Sequence, residues 1–172
     1  ADTALLRLPL TLQFPDGQGL QLPDLPPPLD ALLGIARAQG WGWRDKLALL
    51  LDSTGEGIYG IDLDGLCTFI NRAGADMLGY APAEVLGRNM HDLVHHSHEH
   101  GGHYPEADCP ILKAFRKGES CRVDQEVFWR ADGSFFPTEY SSYQIIDGGQ
   151  VRGAVITFSD ISKRRQAEEQ LQ

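Results

Sequence analysis

Cysteine is scarce. The chain holds three, Cys67, Cys109 and Cys121. They are an odd number, far apart, with no Cys-x-x-Cys pair, so a disulfide scaffold is excluded and a reducing cytoplasm fits best. Positive charge is also short: 15 Lys and Arg stand against 24 Asp and Glu, for a formal net charge of -9. A nucleic-acid surface needs clustered Lys and Arg to displace counterions, so that partner class is excluded and the negative charge is read as serving solubility. No apolar run approaches the ~20 residues that span a bilayer. The first residues lack the basic region and apolar stretch of a signal peptide. They also lack an initiator Met, so the chain is expected to be a piece of a longer protein. Phosphate-binding glycine loops, Gly-x-Ser-x-Gly and kinase signatures are missing, and no acid is paired with a base. The expectation is a module that is not itself an enzyme. With 42% hydrophobic and 23% charged residues in 172, the composition supports a folded domain with a real core.

What is present has a clear order. Residues 6–14 alternate, with Leu6, Leu8, Leu10, Leu12 and Phe14 on one side, and Leu20 and Leu22 resume the pattern after Pro15-Asp16-Gly17. This predicts a β-hairpin, with Pro9 placing its first strand at an edge. After Pro26-Pro27-Pro28, helical spacing predicts helices over about 29–40 and 44–54. From Gly57 the pattern turns α+β. Strands are expected at 57–62 and 66–70 around an Asp64-Gly65 turn, then a helix capped by Asn71 and stopped by Gly79. A short helix follows at 82–86, then a His-, Gly- and Pro-rich segment over 87–109 that reads as a short helix plus an irregular loop, then a helix opened by Pro110. Strands at about 121–130, 134–146 and 151–159 are joined by Asp132-Gly133 and Asp147-Gly148-Gly149, and a polar helix runs over 161–172. Three hairpin-linked strands imply an antiparallel sheet with helices on one face.

Four segments in this order resemble the PAS family, over roughly Leu47 to Gln172. DSTGEGIYGIDLDGLCTFINRAGADMLGY resembles the family's opening, and Leu86-Gly87-Arg88-Asn89 a segment that often reads LGR. RADGSFFPTEYSSYQI resembles its second half, and FSDISKRRQAEEQLQ its exit. The resemblance implies a five-stranded antiparallel sheet with short helices on one face, here preceded by a hairpin and helical extension. The expected division is an extension over 1–43, a PAS domain with an N-terminal cap helix over 44–160, and the start of a signalling linker over 161–172. It further implies a sensory and dimerisation module of a bacterial signalling protein, a sensor histidine kinase or nucleotide cyclase. Its cytoplasmic domain would pair as a homodimer through the helix at 44–54 and address a downstream effector domain. A ligand-free interaction module and a metal-dependent enzyme are the alternatives.

All six histidines, His91, His95, His96, His98, His100 and His103, lie within thirteen positions, near Cys109. Imidazole and thiolate are good transition-metal ligands. His95, His96, His98, His100 and Cys109 are the metal candidates, with His95/His98 or His96/His100 chelating if the segment turns helically. The segment HHSH…G…YP…CPI also resembles an insertion in many sensory-box PAS domains. It is taken first as a structural loop, second as a metal site and third as a pH response, in which protonation moves the charge from -9 to about -3. Phe69, Met77, Leu93, Phe115, Trp129, Tyr140 and Ile156 are the candidates for lining an interior cavity, which is expected to be filled by side chains. No cofactor is the first expectation. A Cys-linked flavin is disfavoured because Met90 stands where the resemblance puts the reactive thiol. Haem is disfavoured because the resemblance puts an axial His on the helix before the last three strands and Ile111 to Lys117 holds none, though a histidine from the loop is left open as an axial ligand. At the exit, Asp160 is expected to pair with Arg164 or Arg165, with Ile161 beginning a partial heptad seam that runs through Arg164 and Glu168 to Leu171. These residues are the expected signal output.

Overall fold

The computed structural model describes residues 10–13, 19–22 and 55–171. The helices expected over 29–40 and 44–54, and the dimer contact assigned to the second of them, lie outside the described residues. Two short strands, β1 (Leu10–Gln13) and β2 (Gly19–Leu22), pair antiparallel in the register Leu10↔Leu22 and form the hairpin expected from the alternation. β2 joins the main sheet through Gln21↔Ile146, leaving β1 at the edge.

The main sheet has five antiparallel strands: β3 (Gly57–Asp62), β4 (Cys67–Ile70), β5 (Cys121–Trp129), β6 (Phe135–Asp147) and β7 (Gln150–Asp160). β7 lies between β6 and β3; β4 closes one edge beside β3, and β5 pairs the other flank of β6. Gly153 makes the β3–β7 approach possible, since a Cβ there would lie 2.1 Å from the Ile61 carbonyl oxygen. Between β4 and β5 come four short helices: α1 (Arg72–Leu78), α2 (Pro82–Val85), α3 (Met90–Val94) and α4 (Pro110–Arg116). α1 shows how local signals and tertiary contacts coincide. Asn71 Oδ1 accepts from Gly74 N–H (2.9 Å) as a helix cap and from Ile58 N–H (2.8 Å) across the fold, while its Nδ2 donates to the Glu56 carbonyl (2.9 Å). Gly79, at φ 74°, stops the helix, a left-handed position that glycine takes without steric cost.

Rings fill the space between sheet and helices. Phe128 stacks on Tyr140 at 5.3 Å and meets Phe158 edge-on at 5.3 Å, while Phe128 and Phe136 make a further T-shaped pair. Such pairs contribute about 0.5–1.5 kcal/mol each beyond their burial. Among the cavity candidates, Phe115, Tyr140 and Ile156 belong to this core, and Met77 and Leu93 pack on its margin. Phe69 and Trp129 are half-buried.

The exit differs from expectation. Asp160 does not pair with Arg164 or Arg165. Its Oδ2 accepts from Arg130 Nη2 at 3.1 Å, and its Oδ1 accepts from the Ser162 N–H and hydroxyl at the start of α5 (Ser162–Gln170). Arg130 reaches Asp160 because its chain lies over the Phe136 ring and its Nε donates to the Met77 carbonyl. Arg164 instead donates to Glu139 at 2.9 Å, and Arg165 touches the Asp124 carbonyl at 3.4 Å. Ile161 is buried in the domain and Leu171 is exposed. No helix among the described residues is long and apolar enough to cross a membrane.

Candidate functional site

The histidine segment is only partly helical, and this sorts its side chains. α3 ends at Val94, with His95 as its last half-in residue, and the His95 N–H still donates to the His91 carbonyl at 3.0 Å. His91 and His95 therefore stand one turn apart on the same side, their rings 5.5 Å apart. The chain then leaves the helix. Ser97 pairs His103 in an isolated bridge, and the His98 N–H donates to the Gly102 carbonyl, closing a tight loop. The helical pairs His95/His98 and His96/His100 consequently do not form. His96 bonds Ser97 Oγ and stacks on Trp129, whose Nε1 donates to the Ser97 carbonyl. His98 stacks between His100 and Tyr104 and, with exposed His100, lines a separate surface cleft with Glu99 and Glu126.

Two candidates from the sequence, His95 and Cys109, do come together, and the structure adds His91. Cys109 precedes Pro110 at the start of α4, and its Sγ lies 3.4 Å from His95 Nδ1. One ligand atom from each of His91, His95 and Cys109 falls within 4.8 Å of the others, and all three residues are buried. The far sides of both rings are held. His91 Nε2 bonds the Tyr104 carbonyl at 2.8 Å, and His95 Nε2 bonds Glu126 Oε2 at 2.6 Å. Glu126 also accepts from Tyr140 Oη (2.7 Å, to Oε2) and Tyr104 Oη (2.8 Å, to Oε1).

Charge follows this arrangement. Burial pushes the Cys109 thiol up, but the His91 and His95 rings beside it outweigh burial and bring it down to about 6. Burial disfavours the His95 imidazolium, yet Cys109 and then Glu126 raise it to about 9. His91 is likewise raised against burial, by Cys109 and the Tyr104 carbonyl. Burial alone would raise Glu126, but His95 and Tyr140 hold its carboxyl below the ordinary value. These shifts favour the charged form at each member of the Cys109–His95–Glu126 row: thiolate, imidazolium and carboxylate. Cys67 and Cys121 show the contrast, since burial without such partners pushes both up to about 11.

Sequence reasoning named His91 among the six histidines but did not select it, although its i, i+4 spacing to His95 was a usable signal. Glu126 had none. Simple alternation from Cys121 and Val123 would turn Gln125 inward and Glu126 outward. A bulge between Val123 and Glu126 shifts that phase, so that Glu126 and Phe128 face inward, a bulge re-aiming a side chain toward a site.

A narrow cleft beside the cluster is lined by Tyr59, Met90, Ile111 and Leu112 together with His91, His95 and Cys109, and holds about 10 Å³ of free space. None of the seven cavity candidates lines it.

Comparison with known proteins agrees with the architecture. The family model for the PAS fold matches residues 45–161. A probable diguanylate cyclase, DgcE of Escherichia coli (strain K12), is 25% identical over 133 residues, which is 74% of this chain; the chain spans 11% of that relative's length. The PAS domain of nitrogen regulation protein NR(II) from Vibrio parahaemolyticus is 14% identical with a TM-score of 0.53, over 67% of this chain and 97% of that one. The PAS domain of a protein from Colwellia psychrerythraea is 18% identical with a TM-score of 0.57, over 71% and 99%. An RNA-binding light-oxygen-voltage receptor covers 95% of this chain and 40% of its own, at 24% identity and a TM-score of 0.59. At these identities the solved structures speak for the fold.

Proposed function

The chain belongs to the PAS family, whose domains serve as sensory inputs to signal-transduction proteins and are not themselves catalysts, and from that premise we propose that it passes a change at the Cys109–His95–Glu126 row to an output domain beyond α5. One observation carries this reading. Tyr140 and Glu139 are neighbours on β6 with side chains on opposite faces. Tyr140 donates inward to Glu126, and Glu139 holds Arg164 of α5 on the outer face. A shift of Glu126 therefore moves a strand that grips the exit helix one residue away. A ligand or chemical change that favours one position of β6 biases the helix by its differential affinity for the two states. A histidine kinase or a nucleotide cyclase is the output class this exit helix would address.

Hydrogen exchange on the chain tests the reading. Tyr140→Phe keeps the ring and removes the bond to Glu126. Amides of 162–170 are expected to exchange about five-fold faster, the ratio that corresponds to about 1 kcal/mol. Faster exchange confined to the surroundings of Glu126, with α5 unchanged, would refute the coupling.

A further inference from the structure

The His91–His95–Cys109 cluster has features that signal transmission does not need. In each histidine the outer nitrogen bonds an oxygen. The Tyr104 carbonyl can only accept, so His91 Nε2 carries the hydrogen. Glu126 already accepts from two tyrosine hydroxyls, so it too is an acceptor toward His95 Nε2. In the neutral form that ligates a metal, each ring is thereby set with its Nδ1 lone pair facing away from these anchors. A carbonyl or carboxylate on the far nitrogen is the arrangement that orients metal-ligating histidines.

The inner atoms carry the second observation. His91 Nδ1 has no hydrogen-bond partner, and His91 is 7% exposed. An unpaired nitrogen at that depth is destabilising unless something occupies its lone pair. Opposite it lie His95 Nδ1 and the Cys109 sulfur, themselves 3.4 Å apart. Ligand atoms around a tetrahedral ion with bonds of 2.0–2.3 Å stand about 3.3–3.8 Å from one another. One edge of the triangle already has that length, and the others lie within 4.8 Å, inside the reach of a small side-chain closure.

We propose that His91 Nδ1, His95 Nδ1 and the Cys109 thiolate form a binding site for one thiophilic transition-metal ion, with Zn2+ as the ion that fits its nitrogen and sulfur donors. Thiolate and imidazole select such ions over Mg2+ and Ca2+, which require oxygen ligands. Three protein ligands leave a fourth position, the pattern of a reactive or exchangeable site and not of a closed structural one. The adjoining cleft has room for about one water there. The site holds independently of the signalling reading, because metal binding is measured on the chain itself.

The test titrates chelator-stripped, reduced protein with Zn2+ in competition with a chromophoric chelator, and separately with Co2+. The expected result is one ion per chain and a thiolate-to-cobalt charge-transfer band. Cys109→Ser, a near-isosteric change, should abolish the band and weaken Zn2+ binding by about 100-fold or more. Glu126→Gln should weaken it by about 10- to 100-fold. The double variant His98→Ala/His100→Ala should bind as wild type. The proposal is overturned if folded wild-type protein binds no Zn2+ tighter than about 10 μM, which is about 7 kcal/mol. It is equally overturned if Co2+ binds without the thiolate band, or if the His98/His100 variant loses the ion while Cys109→Ser retains it.

Discussion

Glu126→Ala should be the most damaging single change at the site, and its cost follows from the three donors it strands. In the native protein the carboxylate takes His95 Nε2 at 2.6 Å, Tyr140 Oη at 2.7 Å and Tyr104 Oη at 2.8 Å. Alanine removes the acceptor of all three donors. His95 and Tyr140 are buried, 2% and 1% exposed, so neither finds water easily. Each stranded buried donor costs about 1–3 kcal/mol. Glu126 itself keeps 20% of its side chain open, so water can re-enter near Tyr104, and the two remaining donors place the total at about 2–6 kcal/mol. Glu126→Gln should cost less, about 1–3 kcal/mol, because its carbonyl still accepts and the Tyr104 hydroxyl can turn to accept from the amide. The assay is urea unfolding of metal-free protein at neutral pH. Adding Tyr140→Phe should be cheaper in the Glu126→Ala background than in wild type, since it then removes an orphan instead of a bond. Equal costs for Ala and Gln, or both below about 0.5 kcal/mol, a surface-like value, would show that the row of bonds does not hold β5 to the helices.

Asn71→Ala should destabilise the domain by about 2–4 kcal/mol in the same assay, because it removes a helix cap and also strands the buried Ile58 N–H; a loss of only a few tenths would mean that the link to β3 is energetically idle. Acid should loosen the exit helix through Glu139, whose carboxyl Arg122 and then Arg164 hold below its ordinary value of 4.5. A lowered carboxyl stabilises the fold above its unfolded value, and that contribution is lost as pH falls below 4.5. The stability difference between wild type and Glu139→Gln, at most about 1 kcal/mol because both arginines are largely exposed, should shrink over that range; a difference that stays constant into acid would refute the assignment.

The site was partly legible. Imidazole and thiol chemistry pointed to His95 and Cys109, and the density of histidine pointed to the segment. His96, His98 and His100 looked equivalent because residue type carries no direction. What separated them was the end of α3 at Val94, after which the chain folds into a tight loop and turns those rings toward Trp129, Tyr104 and solvent. The exit was misread for a related reason. Asp160 and the two arginines are near in sequence, but Arg130, thirty positions away, is nearer in space, because its guanidinium is set over Phe136.

Among the described residues, the sequence by itself determined the elements. Alternation, Asn71, Pro110 and the Asp-Gly turns act over a few residues, and local backbone chemistry is enough to place strands, helix ends and turns. Only the tertiary structure decided the site. One extra residue in the β5 ladder reverses the inward phase and brings Glu126 behind His95, and the packing of α3 against the start of α4 sets a buried sulfur beside two imidazoles. Strand register and burial depend on the whole sheet, so no stretch of the chain states them alone.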